Sequence, residues 1–546
     1  MRNPSKGTYL AHIIILAAVT AAVLLPFVDK AFHMDDTLFL WTARQIIERP
    51  WDFYGFQGNW DGTLAAAPEI IKNPPVAAYY MALAGWFAGF SEKTLHLAFM
   101  LPAFMAVWGA YAIARRMSSL PLVAALLGLA TPVFLVSSTT LMCDTIMLAF
   151  WVWAVFFWIK GVEDGSLLSL AFSGVLIALA SLTKYFGISL IPLLAAYSLL
   201  NGRKGLNSLP FLLIPAAALA GYHLYTQVLY GRGLLLDASV YPAWIAGGAR
   251  LDRAIVSVVF AGGCVITALF FLPSVLGITA IIPGLALIAG GAVYLVSRTS
   301  LGPVELWTGA FGWGYAAQLA VYGAAGIGIF LLALVDFIKR REAFSVLLGL
   351  WVFGSFVFTV FFNWTVNGSS MLPMAPAVGI LLARAAEDAR PGKLRLLVPL
   401  ALALAVSLMV TWADYRLANS SRDAARTIAS KYSSGPGQLW FQGHWGFQYY
   451  LEEKGGKPLE WNNLRITAND AIAFPFNNTG LKLMPEEQFA VVEDLRYKPS
   501  TIVSTMTPGP GAGFYASGRG PLPFMFFPPT EDRYQVMLPR YVETVE

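Results

Sequence analysis

The sequence predicts an all-α polytopic membrane bundle of about thirteen transmembrane helices, followed by a small external α/β domain at the carboxyl end. Three observations predict it. Of the 546 residues, 57% are hydrophobic and only 13% charged, where soluble domains carry about 25% charged residues, and the mean hydropathy is +0.61. Apolar runs approaching the ~20 residues that a membrane span needs recur along residues 1–413. Beyond 413 they stop, and ordinary charge, Gly and Pro return over 414–546.

The net charge of +5 is not gathered into a basic stripe, so the expected partner is a lipid bilayer and not nucleic acid. Cys143 and Cys264 lie in or beside apolar runs and form neither a disulfide framework nor a zinc spacing. The amino-terminal MRNPSKGTYLAHIIILAAV has a basic start and an apolar run without a convincing cleavage site. It reads as an uncleaved first span over 10–28.

Further spans are expected near 95–114, 120–137, 145–160, 167–183, 185–200, 208–225, 254–274, 276–296, 318–337, 343–362, 371–386 and 395–413. Arg115-Arg116, Lys160, Arg203-Lys204, Lys339-Arg340-Arg341 and the Arg384–Arg395 stretch then fall inside, as the positive-inside rule requires, if the short run 76–90 does not cross. That run is expected to be interfacial or re-entrant. The amino terminus is inside, the carboxyl terminus outside, and the long aromatic loops are external.

The first of these loops opens with His33-Met34-Asp35-Asp36. Two carboxylates beside a membrane helix need water or a task; the competing reading is a cap for the helix FLWTARQIIE. That helix is amphipathic, with Leu38, Trp41 and Ile46 suited to the headgroup boundary. Tyr54 and Trp60 follow in a turn-rich connector, and Pro74-Pro75 holds Lys72 and Asn73 at the mouth of the next helix. Asp144 opens a strongly apolar helix and Lys184 sits where one helix turns into another, each readable as a helix-end charge or as a site residue. Arg232, Tyr241, Arg250 and Arg253 share a loop that suits a phosphorylated or sugar ligand, and Asn367 offers hydrogen bonds in a later external turn. In the carboxyl-terminal domain, GQLWFQGHWGFQYYLEEKGG reads as strand, turn and helix, while FAVVEDL, STIVST and YQVML read as strands. The glycine-rich GPGAGFYASGRGPLP lacks the strand-to-helix setting of a phosphate loop and reads as an ordinary loop.

The acidic pair Asp35-Asp36, then Lys72-Asn73-Pro74-Pro75, Asp144 and Leu182-Thr183-Lys184, occur in that order on one expected side of the membrane. Over roughly residues 1–413 this series resembles the GT-C glycosyltransferases of the protein mannosyltransferase and aminoarabinose transferase group. Where that group often carries an Arg-Tyr pair before a late Leu-Pro, this chain has Ser369-Ser370-Met371-Leu372-Pro373. The resemblance implies transfer of a sugar from a polyprenyl-phosphate donor to an acceptor hydroxyl of a lipid, glycan or protein. It places the chain as a multi-pass protein of a bacterial plasma membrane, with its site facing the periplasm or exterior.

Such chemistry needs a carboxylate for the acceptor proton and cations for the departing phosphate. Asp35 or Asp36 fits the base, Asp36 being favoured because the following helix should aim it at the cavity; Asp144 is the second carboxylate. Lys72, Lys184, Arg232, Arg250 and Arg253 fit the phosphate, with Tyr54, Trp60, Asn73, Tyr241 and Asn367 around the sugar. No cofactor is required; a divalent metal has room through Glu69 or His33, although no ligand spacing demands one. The alternative function is a transporter or flippase for a lipid-linked sugar, which usually shows internal repeats that this sequence lacks.

Overall fold

The computed structural model describes residues 6–245, 250–276, 312–390, 392–507, 511–528 and 531–540. Its helices are α1 (Lys6–Leu24), α2 (Asp36–Glu48), α3 (Ala67–Ile70), α4 (Val76–Ala88), α5 (Glu92–Met117), α6 (Pro121–Leu129), α7 (Pro132–Ser138), α8 (Asp144–Asp164), α9 (Leu167–Thr183) and α10 (Leu190–Leu200). After these come α11 (Gly202–Leu206), α12 (Leu213–Tyr230), α13 (Leu234–Ile245), α14 (Arg250–Cys264), α15 (Thr267–Leu276), α16 (Gly312–Arg340), α17 (Ala343–Phe361), α18 (Met374–Ala389), α19 (Lys393–Tyr432) and α20 (Trp445–Glu452). Among the described residues seven helices are long and apolar enough to cross a membrane, eight with the bent pair α6–α7. The described residues alone do not bring the count to thirteen, and the run at 276–296 lies outside them.

The expected single span at 120–137 is two helices meeting at 66°. The break has a local cause: Thr131 accepts from the amide of Phe134 as an N-cap, and Pro132 follows at the first helical position. The short run at 76–90 is the 13-residue α4, about 20 Å long at ~1.5 Å per residue, short of the ~30 Å hydrocarbon core. The polar end of the bundle that holds Arg116, Arg340 and Arg384 is tied by ion pairs, with Arg384 meeting Asp336 at 2.9 Å and Arg340 meeting Asp388 at 2.9 Å. The start of α8 and the end of α9 lie at the other end.

The last span does not stop at 413. It runs on as the 40-residue α19, whose far half buries Ala424, Ala425 and Ile428 under the carboxyl-terminal domain. Two short strands in the first loop, β1 (Gln57–Asn59) and β2 (Leu64–Ala66), pair antiparallel. The carboxyl-terminal strands are β3 (Leu439–Phe441), β4 (Lys457–Pro458), β5 (Ala471–Pro475), β6 (Phe489–Tyr497), β7 (Val503–Ser504), β8 (Met525–Phe526) and β9 (Asp532–Pro539). Five form a mixed sheet in the order β4-β3-β5-β9-β6, with β3 parallel to β4 and β5, and β9 antiparallel to β5 and β6.

One hydrophobic core joins this domain to the first loop: Leu38, Phe39 and Ile46 of α2 share it with Met81 of α4 and Phe447 and Leu451 of α20. Leu38 and Ile46 therefore do not sit at a headgroup boundary as the sequence suggested. With apolar faces of α4 and α20 beside it, the apolar stripe of α2 is buried by protein. At the seam, a Cβ on Gly446 would lie 1.9 Å from the carbonyl oxygen of Phe32; glycine there lets α20 press onto the backbone just before the acidic pair.

The sidedness is directly testable, because both native cysteines are buried. A Ser434→Cys variant, exposed just after α19, should react with a membrane-impermeant maleimide in intact cells, and Lys204→Cys only after lysis. The reverse pattern inverts the orientation.

Candidate active site

A cavity of about 730 Å³ lies between the helix ends that include the start of α8 and the end of α9, the first loop and the carboxyl-terminal domain. On its helix-end wall stand Asp35, Asp144, Lys184, Asn367 and Ser369. Asp144, at the amino end of α8, is almost fully buried and pairs with Lys184 at 2.5 Å. Lys184 also donates to Ser369 Oγ at 3.1 Å, and Ser369 donates on to Asn367 Oδ1 at 3.2 Å. Ser369, in the stretch before Leu372-Pro373, thus ties Lys184 to a third segment.

The two adjacent aspartates part company. Asp35 lines the cavity and its side chain makes no capping bond to α2. Burial pushes its carboxyl up to about 6, against the pull of Lys184. Asp36 is fully buried and is not among the cavity-lining residues. One of its oxygens accepts from the His33 amide at 2.9 Å and the other from the Leu141 amide at 2.9 Å. Asp36 ties the turn before α2 to the turn before α8, whereas Asp35 faces the cavity. The expectation that favoured Asp36 as the cavity carboxylate is corrected: backbone donors, not the cavity, hold it.

The other expected residues divide in the same way. Lys72, Asn73, Trp60 and Glu69 line the cavity. Lys72 donates to the Pro68 carbonyl at 3.1 Å, and burial lowers its pKa. Tyr54 is buried behind the wall, donating to the Asn73 carbonyl at 2.5 Å. The three loop arginines do not line the cavity. Arg232 pairs with Asp237 at 2.5 Å and Glu69 at 3.7 Å, Arg250 lies over the Phe361 ring at 5.7 Å, and Arg253 donates to the carbonyls of Thr359 and Asn363 near the end of α17. Nearby partners, a carboxylate, a ring and orphan helix carbonyls, have absorbed them. The side chain of Tyr241 lies outside the described residues. Among the described residues no three His, Cys, Asp or Glu side chains are placed to hold a metal ion; His33 instead packs edge-on against Tyr515 at 5.2 Å.

The opposite wall comes from residues that sequence reasoning passed over: His444, Trp445, Thr479, Tyr515 and Arg519. Tyr515 and Arg519 belong to the glycine-rich loop read as ordinary. The signals available were the glycine-flanked His444-Trp445 and an arginine set among glycines. Trp445 holds φ at +65°, in the left-handed region, and its carbonyl accepts from Thr37 Oγ1 at 2.9 Å.

A many-helix bundle with carboxylates and lysines gathered in a cavity at one end, beneath a mixed α/β domain, is what a membrane-embedded GT-C glycosyltransferase was expected to present. Residues 72–225 match the family model of dolichyl-phosphate-mannose-protein mannosyltransferase. That bears out the resemblance over a stretch holding Lys72, Asp144 and Lys184. No curated protein matches the sequence. Among solved structures, the chain is similar to the archaeal oligosaccharyltransferase AglB from Archaeoglobus fulgidus in complex with an inhibitory peptide and a dolichol-phosphate, at 14% identity and TM-score 0.49, covering 88% of this chain and 70% of that one. It is also similar to ArnT from Cupriavidus metallidurans bound to undecaprenyl phosphate, at 14% identity and TM-score 0.39, covering 86% and 94%. The protein O-mannosyltransferase Pmt1-Pmt2 complex of S. cerevisiae, bound to the sugar donor, gives 18% identity and TM-score 0.34 over 42% of this chain and 35% of that one.

Proposed function

We propose that this chain transfers a hexose or pentose from a polyprenyl-phosphate donor to the hydroxyl of a lipid, glycan or protein acceptor, at the periplasmic or exterior face of a bacterial plasma membrane. The observation that carries the reading is the meeting of Asp35, Asp144 and Lys184 on one cavity wall whose apolar flank is Phe186, Phe358 and Phe362. An apolar flank at the ends of membrane helices suits the first isoprene units of a donor that stays in the bilayer. Asp35 takes the proton of the acceptor hydroxyl as its oxygen bonds to the sugar C1. The bond from C1 to the phosphate oxygen breaks, and its electron pair leaves on polyprenyl phosphate. Negative charge grows there, and Lys184 is the cation on that wall. Asp144 and Ser369 use two of the three N–H donors of Lys184 and so fix where the third points. A carrier for the same lipid would be expected to hold its charges near the membrane midplane, whereas these stand at the helix ends.

Incubating the purified protein with radiolabelled polyprenyl-phosphate sugars and candidate acceptors tests the reading. Lys184→Met should lower turnover about 10²–10³-fold, with Lys184→Arg retaining more. If Lys184→Met turns over donor at the parent rate, the lysine serves only to neutralise Asp144.

A further inference from the structure

Arg519 is a cavity-lining cation whose partners, among the described residues, leave its charge unanswered. Its guanidinium donates to the carbonyl of Asn478 and lies 6.0 Å from the Trp445 ring centre. Among the described residues no carboxylate is paired with it, while Lys184 has Asp144. Burial lowers its pKa, as expected for a cation drawn out of water without a counter-ion. Such a group is stabilised by an arriving oxyanion, which a guanidinium can grip with two parallel hydrogen bonds.

Its neighbours are rigid aromatic planes. The Trp60 ring lies parallel to the His444 imidazole, with centroids 4.5 Å apart and planes within 14°. His444 is locked through both nitrogens, Nδ1 to the Trp60 carbonyl at 2.8 Å and Nε2 to Thr479 Oγ1 at 2.6 Å. Burial pushes its pKa down to about 4, so at neutral pH it adds no charge. Aromatic faces with a few fixed polar groups suit the C–H faces and hydroxyls of a sugar ring. Asp61, whose side chain is 72% exposed, also lines the cavity. A donor anchored in the membrane occupies the side of Phe358 and Phe362, which leaves the carboxyl-terminal wall to the second substrate.

Resting on the transferase reading above, we propose that Trp60, Trp445, Thr479 and Arg519 form the acceptor subsite, and that it selects an acidic saccharide, one carrying a phosphate or a carboxylate near the hydroxyl that receives the sugar. The preference comes from the fork of Arg519, and the tryptophans supply the ring contact.

The test uses the full chain in lipid nanodiscs and one disaccharide in three forms: neutral, with a terminal uronate, and with a terminal phosphate. Calorimetric titration of the parent should show one or both acidic forms binding about tenfold or more tightly than the neutral one. The tighter of the two identifies the anion. Arg519→Gln should erase the difference, and Arg519→Lys should keep part of it, since the charge remains without the fork. Equal binding of the acidic and neutral forms by the parent, or a preference that survives Arg519→Gln, overturns the proposal. Titration with polyprenyl phosphate supplies the rival outcome: if Arg519→Gln weakens that ligand instead, Arg519 belongs to the donor and the acceptor subsite falls. Because no sugar is transferred in these titrations, they fail separately from the transferase reading, which stands or falls on donor turnover.

Discussion

Asp35→Asn is expected to lower sugar transfer about 10²–10⁴-fold, the usual contribution of a positioned general base, while the protein still folds and binds its lipid donor. The substitution keeps the shape and removes the charge. It breaks no side-chain cap, since Asp35 makes none. The pH dependence follows from the carboxyl lying near 6 in place of its ordinary value of 3.8. A base must be ionised, so transfer should rise about tenfold per pH unit below 6 and level off above it, and Asp35→Asn should flatten that rise.

Stability moves the other way. A raised carboxyl pKa means the folded chain holds the proton more tightly than the unfolded one, so the stabilising increment is full below about 4 and is lost as pH climbs through 6. At pH 7.5 the Asn variant should therefore be as stable as the parent, or more stable by at most ~3 kcal/mol. Asp36→Asn should differ, although burial raises that carboxyl as well, to about 7, because its two oxygens are both used. An amide offers one acceptor where two backbone N–H groups require two, a loss of about 1–3 kcal/mol visible in thermal melts. If Asp35→Asn transfers sugar at the parent rate while Asp36→Asn is stable and inactive, the roles assigned to the pair are exchanged.

The contrast between these neighbours shows what the sequence could and could not carry. A carboxylate or lysine at the end of an apolar run is conspicuous because it is expensive there, and Asp35, Lys72, Asp144 and Lys184 were legible for that reason. Consecutive residues at a helix start point about 100° apart, so the pattern marks the acidic pair without saying which member faces the cavity. Arg232, Arg250 and Arg253 looked like phosphate ligands because they lie among aromatics, but composition cannot separate a free cation from one whose partner is five residues away, as Asp237 is for Arg232. Arg519 and Trp445 reach the cavity only through the folding of the carboxyl-terminal domain, and no local period announces that. The domain limit at 413 tracks hydropathy, whereas α19 continues beyond it on alanines and an isoleucine that pack against a sheet instead of lipid.

The ion pair between Lys30 and Asp414 was equally invisible, its partners being 384 residues apart, and its removal should have the largest effect on stability. Both side chains are fully buried, 2.5 Å apart, where α19 passes the turn before the acidic pair. Asp414 also accepts from Thr505 Oγ1 at 2.7 Å and the Tyr515 hydroxyl at 2.7 Å, joining the bundle to the loop that carries Arg519. Breaking such a pair from one side leaves an uncompensated buried charge, about 3–5 kcal/mol. The two sides should differ. Lys30→Met leaves a carboxylate still holding two hydroxyl donors. Asp414→Leu leaves an ammonium with only Thr139 Oγ1, at 3.5 Å, and strands both hydroxyls. Asp414→Leu should therefore unfold at the lower temperature in detergent. The double variant should recover part of the loss and no more, since Thr505 and Tyr515 still lack their acceptor. Single losses below about 1 kcal/mol, or strictly additive ones, would show that the pair does not hold the carboxyl-terminal domain to the membrane bundle.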